Sequence, residues 1–129
     1  AQARPGDYVA ILAYLERTPA TDAALQRIRL RLRDTLHVAT TVGYGPRFQH
    51  STGQLHKGGA NNGLFLQIVA RDHEDAPIPG VSYTFGTLKA AEALGDLQTL
   101  QRRERRVIRL DLQDDATAGL REVAGALGA

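Results

Sequence analysis

Four stretches of the chain are dense in apolar residues, and segments of helical spacing separate them. Tyr8–Leu15 (YVAILAYL) and Leu64–Ala70 (LFLQIVA) are nearly continuous apolar runs, the pattern of strands covered on both faces of a parallel sheet. Val38–Tyr44 (VATTVGY) and Val107–Leu112 (VIRLDL) read as two further buried strands. Between the first two, Thr21–Leu36 places Leu25, Ile28, Leu32 and Leu36 at spacings of three and four, after the Thr18-Pro19 punctuation. Arg27 to Arg33 also alternate strictly between charged and apolar residues, which suits a strand. Sixteen residues exceed normal strand length, and a parallel crossover needs a helix at this point, so the segment is predicted helical.

Farther on, Thr84 suits the N-cap of a helix carrying Phe85, Leu88, Ala91 and Leu94. Gly95 fits the left-handed position that closes such a helix, and Asp96 is then expected to cap a second short helix through about Arg103. Asp115–Leu127 aligns Leu120, Val123 and Leu127 on one helical face. The order is strand, helix, strand, short helix, strand, helix, strand, helix. It predicts a layered α/β fold with a mostly parallel sheet of four or five strands flanked by helices. No internal repeat or low-complexity tract interrupts it, and Asp72–Ser82 is the longest polar connection.

Length and composition narrow this further. At 129 residues and 43% hydrophobic content the chain is expected to form one ordered domain. It has no Cys, which excludes disulfides, thiolate zinc sites and cysteine nucleophiles. No apolar run approaches the ~18 residues of a membrane span, and residues 1–20 lack a signal-peptide layout, so a cytoplasmic domain without membrane contact is expected. The first residue is Ala, and the chain is read as a piece of something longer. Arginines cluster at Arg27, Arg29, Arg31 and Arg33, and again at Arg102, Arg103, Arg105 and Arg106. With 5% aromatics and no helix-turn-helix or RNA-binding signature, they read as solvated faces rather than a nucleic-acid footprint.

Candidate chemistry bunches between Gly43 and Gly63, after the second strand and before the third. Ligands of open α/β sheets bind at the carboxyl ends of strands. Two of the four His and one of the two Lys lie in this segment. Histidine moves protons near neutral pH without a large pKa shift, and Ser51, Thr52 and Gly53 could offer hydroxyls and N–H groups to an anion. The glycines match neither a dinucleotide fingerprint nor a P-loop, so no cofactor is expected. His50 and His56 are six apart, do not share a helical face, and lack neighbouring carboxylates, so no metal is expected either. Fourteen of sixteen basic residues are Arg. Lys57 and Lys89 therefore stand out, because Lys can hand over a proton and Arg effectively cannot.

Gly45–Gly59 (GPRFQHSTGQLHKGG) resembles the catalytic-histidine segment of the glucose-6-phosphate isomerases, especially the variant fused to transaldolase in some bacteria. Tyr83–Lys89 (YTFGTLK) resembles that variant's C-terminal lysine motif, and Pro5–Ala10 and Val38–Thr41 are similar to it as well. The resemblance spans about residues 5–112. It implies that the whole chain is a single sugar isomerase (SIS) domain, a three-layer Rossmann-like unit, and the second of two in a larger protein. It further implies that His50 assists opening of the sugar ring, with His56 the alternative match and His50 preferred because Gln54-Leu55 follows it at the family's spacing, and that Lys89 contacts the substrate near the ring oxygen. A glutamate elsewhere then moves the proton between C1 and C2 through an enediol, converting glucose 6-phosphate to fructose 6-phosphate in glycolysis and gluconeogenesis. Ser51, Thr52, Gln54 and Lys57 are implied to lie near the substrate. Sugar phosphate and the first SIS domain of the same polypeptide are the implied partners. The fused variant would add a transaldolase domain, and the family's shared sites would bring a second copy.

Two departures shape the expectation. Glu16, Glu74, Glu92, Glu104 and Glu122 fall in no matching motif, and the phosphate pocket is supplied largely by the other domain. Ser82 stands where the standard isomerases usually carry Gln, seven residues before the Lys. The isolated chain is therefore expected to be inactive. The alternative is a non-catalytic sugar-phosphate-binding regulatory module, in which His50 only hydrogen-bonds. A transaldolase-like barrel and a first SIS domain upstream favour the enzyme, and an upstream helix-turn-helix favours the regulator.

Overall fold

The computed structural model describes residues 3–45, 47–50, 52–71 and 74–128, and of Gln49 and His50 it describes the backbone alone. Four strands, β1 (Tyr8–Tyr14), β2 (Ala39–Tyr44), β3 (Gly63–Val69) and β4 (Arg106–Asp111), alternate with helices α1 (Pro19–Leu36), α2 (Thr52–Gly58), α3 (Phe85–Arg102) and α4 (Ala116–Gly128). A short 3-10 turn, Arg47–His50, precedes α2. The sheet is entirely parallel, in the order β2-β1-β3-β4. The two strands with the longest apolar runs take its centre, where both faces are covered. Four strands form, the smaller of the two expected numbers.

The arginine-rich alternating segment is a helix, as predicted. Its N-cap is Thr18, whose hydroxyl accepts from the Thr21 N–H while the Thr21 side chain accepts from the Thr18 N–H, and Pro19 opens the first turn. His37 closes it in the left-handed conformation, φ 54°, donating its N–H to the Arg33 carbonyl. Leu25 and Ile28 face inward and are fully buried, while Arg27, Arg31 and Arg33 are exposed. Together with α4, this helix covers Ile11, Ala13, Leu15 and Ile68 on one face of the sheet. The other face carries Ala10, Leu12, Tyr14, Phe65 and Val69, packed against Phe48 and against Ala93 and Leu100 of α3.

Two expectations about α3 are corrected. The helix does not stop at Gly95 and restart at Asp96; it runs unbroken from Phe85 to Arg102. A glycine inside a helix costs only about 1 kcal/mol relative to Ala, and here tertiary contacts outweigh it. Asp96 is not a cap, because its carboxylate is buried against Tyr14 and Lys57. The inward face is also rotated from the expected stripe. Phe85, Leu88, Ala91 and Leu94 are exposed, and Ala93, Asp96 and Leu100 are buried.

The two edges of the sheet differ. At the amino edge, the Arg106 guanidinium donates two hydrogen bonds of 2.9 Å to the Asp7 carboxylate, and this pairing holds Asp7 below the usual carboxylate pKa. Arg105 donates to the Lys57 and Gly59 carbonyls at 3.0 and 2.7 Å, closing the end of α2. The carboxyl edge is open. Chain connections leave β1 and β3 there toward opposite faces, which makes the gap between them the switch point of the sheet. Among the described residues, no helix is long and apolar enough to cross a membrane.

Candidate functional site

A cleft of about 420 Å³ opens at the carboxyl ends of β1, β3 and β4. Its polar and charged lining includes Tyr14, Arg71, Asp75, Lys89, Arg109 and Asp111. Lys89 enters from the second turn of α3, the helix whose N-cap, Thr84, accepts from the Thr87 N–H at 3.2 Å. Asp75 fills that helix terminus. Its carboxylate accepts from the Thr84 hydroxyl at 2.7 Å, the Gly86 N–H at 2.8 Å and the Ala76 N–H at 2.9 Å. The Thr84 and Gly86 hydrogen bonds, with a smaller contribution from the Lys89 charge, hold the Asp75 carboxyl below its ordinary pKa. Gly86 is required for this approach, because a Cβ there would lie 2.7 Å from an Asp75 oxygen. The donors at the start of α3 are thus already occupied by a carboxylate, while three cationic side chains line the cleft beside it.

The described part of the histidine segment does not line this cleft; its Arg47 and Phe48 line a separate pocket with Arg17, Asp22 and Tyr44. His50 ends the 3-10 turn that follows β2, and its side chain and all of Ser51 lie outside the described residues. Phe48, in the same turn, meets the Tyr14 ring edge-on at 5.7 Å. The chain passes Tyr14 so closely at Gly45 that a Cβ would sit 2.4 Å from the ring. Tyr14 in turn lines the Lys89 cleft, and its hydroxyl donates to Asp96 of α3. Tyr14 therefore lines the cleft of the lysine motif and packs against Phe48 of the histidine segment.

The other expected residues are placed differently. Thr52 and Gln54 are exposed on α2 and do not line the cleft. Lys57 is half-buried, and its ammonium is paired with Asp96 rather than lining the cleft. His56 is buried deeper, between the rings of Tyr8 and Phe65, with Nδ1 3.0 Å from the Tyr8 hydroxyl. Burial pushes its imidazole pKa below 6.5, the Lys57 charge acts in the same direction, and Asp96 opposes them. His56 is a packing residue and contributes nothing to the cleft wall. No group of three or more potential metal ligands is found among the described residues.

Sequence reasoning missed Tyr14, Asp75 and Asp96. Tyr14 ends an apolar run and reads as core, which it also is. Asp96 carried a usable signal, since it follows Lys89 by seven residues and so shares its helical face.

No family model matches the sequence, and no curated protein matches it. In fold the chain is similar to the hypothetical protein TT0462 from Thermus thermophilus, with a TM-score of 0.75 over 93% of this chain at 20% identity. Identity that low makes this a likeness of fold. The chain spans about a third of that protein's length, 34%.

Proposed function

We propose that this chain is the second sugar isomerase domain of a glucose-6-phosphate isomerase, active only with the rest of its polypeptide. The observation that carries the reading is the position of Tyr14. The lysine motif places Lys89 in an open cleft at the switch point, and the histidine motif is docked by Phe48 onto the tyrosine lining that cleft. The lysine motif shares a cleft with Tyr14 and the histidine segment packs on the same ring, at the end of the sheet where ligands of open parallel sheets bind. The cationic lining formed by Arg71, Lys89 and Arg109 suits a phosphorylated substrate.

In this reading His50 shuttles a proton from the anomeric hydroxyl to the ring oxygen as the C1–O5 bond breaks. Lys89 stabilises the charge developing on that oxygen. Transfer of the C2 proton to C1 through the enediol then falls, as the resemblance implies, to a glutamate outside the chain; Glu16, Glu74, Glu92, Glu104 and Glu122 are all absent from the cleft wall. Domain, partners and location follow together: a first sugar isomerase domain on the same polypeptide, a sugar phosphate as ligand, and the cytoplasm as the place where it is met.

Kinetics of the full-length protein test this. His50→Ala and Lys89→Ala should each lower kcat by about 10²–10⁴-fold, the worth of a positioned acid or base. A dehydrogenase-coupled assay should find no useful turnover by the 129-residue chain alone. Unchanged rates in both variants would overturn the assignment.

A further inference from the structure

Beneath the cleft lies a group of polar side chains that the proposed chemistry does not use. Asp96 is 3% exposed on the inner face of α3, two helical turns beyond Lys89. One of its carboxylate oxygens accepts from the Tyr14 hydroxyl and the other pairs with the Lys57 ammonium. A carboxylate this deep survives as an anion only where its charge is met by partners. The partners come from the end of β1 and the last turn of α2, so three elements are joined at one buried charge.

Apolar packing of α3 on the sheet runs through Ala93 and Leu100. Leu55 of α2 is 58% exposed, and Leu88 and Leu94 of α3 are also exposed, so these leucines do not lock the two helices together. Tyr14 is held from the opposite side by Phe48 and the close pass of Gly45, and Gln67 of β3 donates to the α3 carbonyl of Ala93 at 2.8 Å. The histidine segment and the lysine helix are thus linked through Tyr14 and the side chains beside it.

We propose that Tyr14, Lys57 and Asp96 are positioning residues, a buried strut that sets the separation of the His50 segment and the Lys89 helix. Its effect on catalysis rests on the isomerase reading; its effect on α3 does not. Reacting groups misplaced by about 1 Å lose on the order of 10²-fold in rate, and a hydrogen-bonded ion pair fixes geometry in a way that exposed leucines cannot.

Amide hydrogen exchange on this chain tests the strut without any ligand. Asp96→Asn and Lys57→Gln should each speed exchange at Leu88–Ala91 by at least about tenfold, the loss expected for a hydrogen bond to a charged group. Amides of α1 and α4 should keep their wild-type rates. Lys57→Arg should restore protection, and Tyr14→Phe, which keeps the ring and removes only the donor, should show the effect in a fold that is otherwise intact. In the full-length enzyme the same variants should lower kcat by about 10²-fold with KM little changed, again recovered by Lys57→Arg. Unchanged exchange in α3, or an equal rise in α1 and α4, overturns the strut. A full-length wild type without isomerase activity overturns the isomerase reading, and the exchange data still decide the strut. A rise in KM with unchanged kcat on Lys57→Gln makes Lys57 a substrate contact and overturns its positioning role.

Discussion

Gln67 and Ile68 are neighbours on β3, both fully buried, and they point to opposite faces of the sheet. Ile68 sits in an apolar cluster of Ile11, Ala13 and Leu15 from β1 and its exit, Leu25 and Ile28 from α1, and Leu120 from α4, with Thr21 of the α1 cap also buried on that helix. Around Gln67 the same depth of burial accommodates Tyr14, His56 and Asp96 among the apolar residues, and the open cleft lies at the carboxyl end of that face. The covering helix differs in the same sense. α1 has a reciprocal capping box and buries Leu25 and Ile28, whereas α3 leaves Phe85, Leu88 and Leu94 in solvent and turns Asp96 inward. One face is packed mainly by apolar residues, and the other accepts polar groups that a stability optimum would avoid.

The sharpest test of that division compares two truncations. Ile28→Ala, at a fully buried position on the apolar face, should cost about 2–5 kcal/mol in urea denaturation. Leu94→Ala, at a position 46% exposed on the other helix, should stay within about 0.5 kcal/mol, as surface substitutions do. Equal losses would mean that both faces carry the fold alike.

The pH dependence of stability separates the faces more finely. His56 is kept neutral chiefly by its burial on the polar face. Its folded pKa lies below the unfolded value near 6.5, so the unfolded chain binds the extra proton more readily between the two values. Stability contributed by the neutral ring is therefore present above pH 6.5 and is lost as pH falls through the folded value. The lowered carboxyls of Asp7 and Asp75, and of Asp22, which accepts from the Tyr44 hydroxyl, act in a separate window, losing their stabilisation as pH falls below 3.8. Melting temperatures of the wild type should fall on moving from pH 7.5 to 5, and His56→Phe should flatten that slope while leaving the steeper loss below pH 3.8. An unchanged slope in the variant would place the sensitivity elsewhere.

The apolar face was largely legible in the sequence, and the reason is local. Burial on both sides wrote itself as continuous runs in β1 and β3, and the spacing of Leu25, Ile28 and Leu32 outweighed the strand-like arginine alternation once length was considered. Strand ends were misplaced by only one residue: Leu15, Val38, Ala70 and Leu112 extend the apolar pattern beyond the strands, and Gly63 and Arg106, which open β3 and β4, carry no apolar side chain. The polar face was not legible in the same way. Periodicity found an apolar stripe on α3 but could not tell which stripe meets the sheet, because the inward positions include Asp96. The Tyr14–Asp96–Lys57 contacts join residues far apart in sequence, where no spacing rule applies. Lys89 and the His50 segment drew notice because Lys and His are rare in an arginine-dominated chain.

The smallest expected effect probes how far the polar character of that face is committed. Gln67 donates from Nε2 to the Ala93 carbonyl, but its Oε1 has no hydrogen-bond partner among the described residues. Gln67→Leu gives up one hydrogen bond, worth about 0.5–1.5 kcal/mol, and removes a buried unpaired carbonyl that costs about 1–3 kcal/mol. The two nearly cancel, so the variant should lie within about 1 kcal/mol of the wild type, on the stabilised side if the cleft face is tuned for something other than stability. A loss above about 2 kcal/mol would instead show that Gln67 belongs to the same cooperative network as Asp96. The Gln67→Leu/Asp96→Asn double variant separates the two, since independent sites give additive losses and a shared network gives less than their sum.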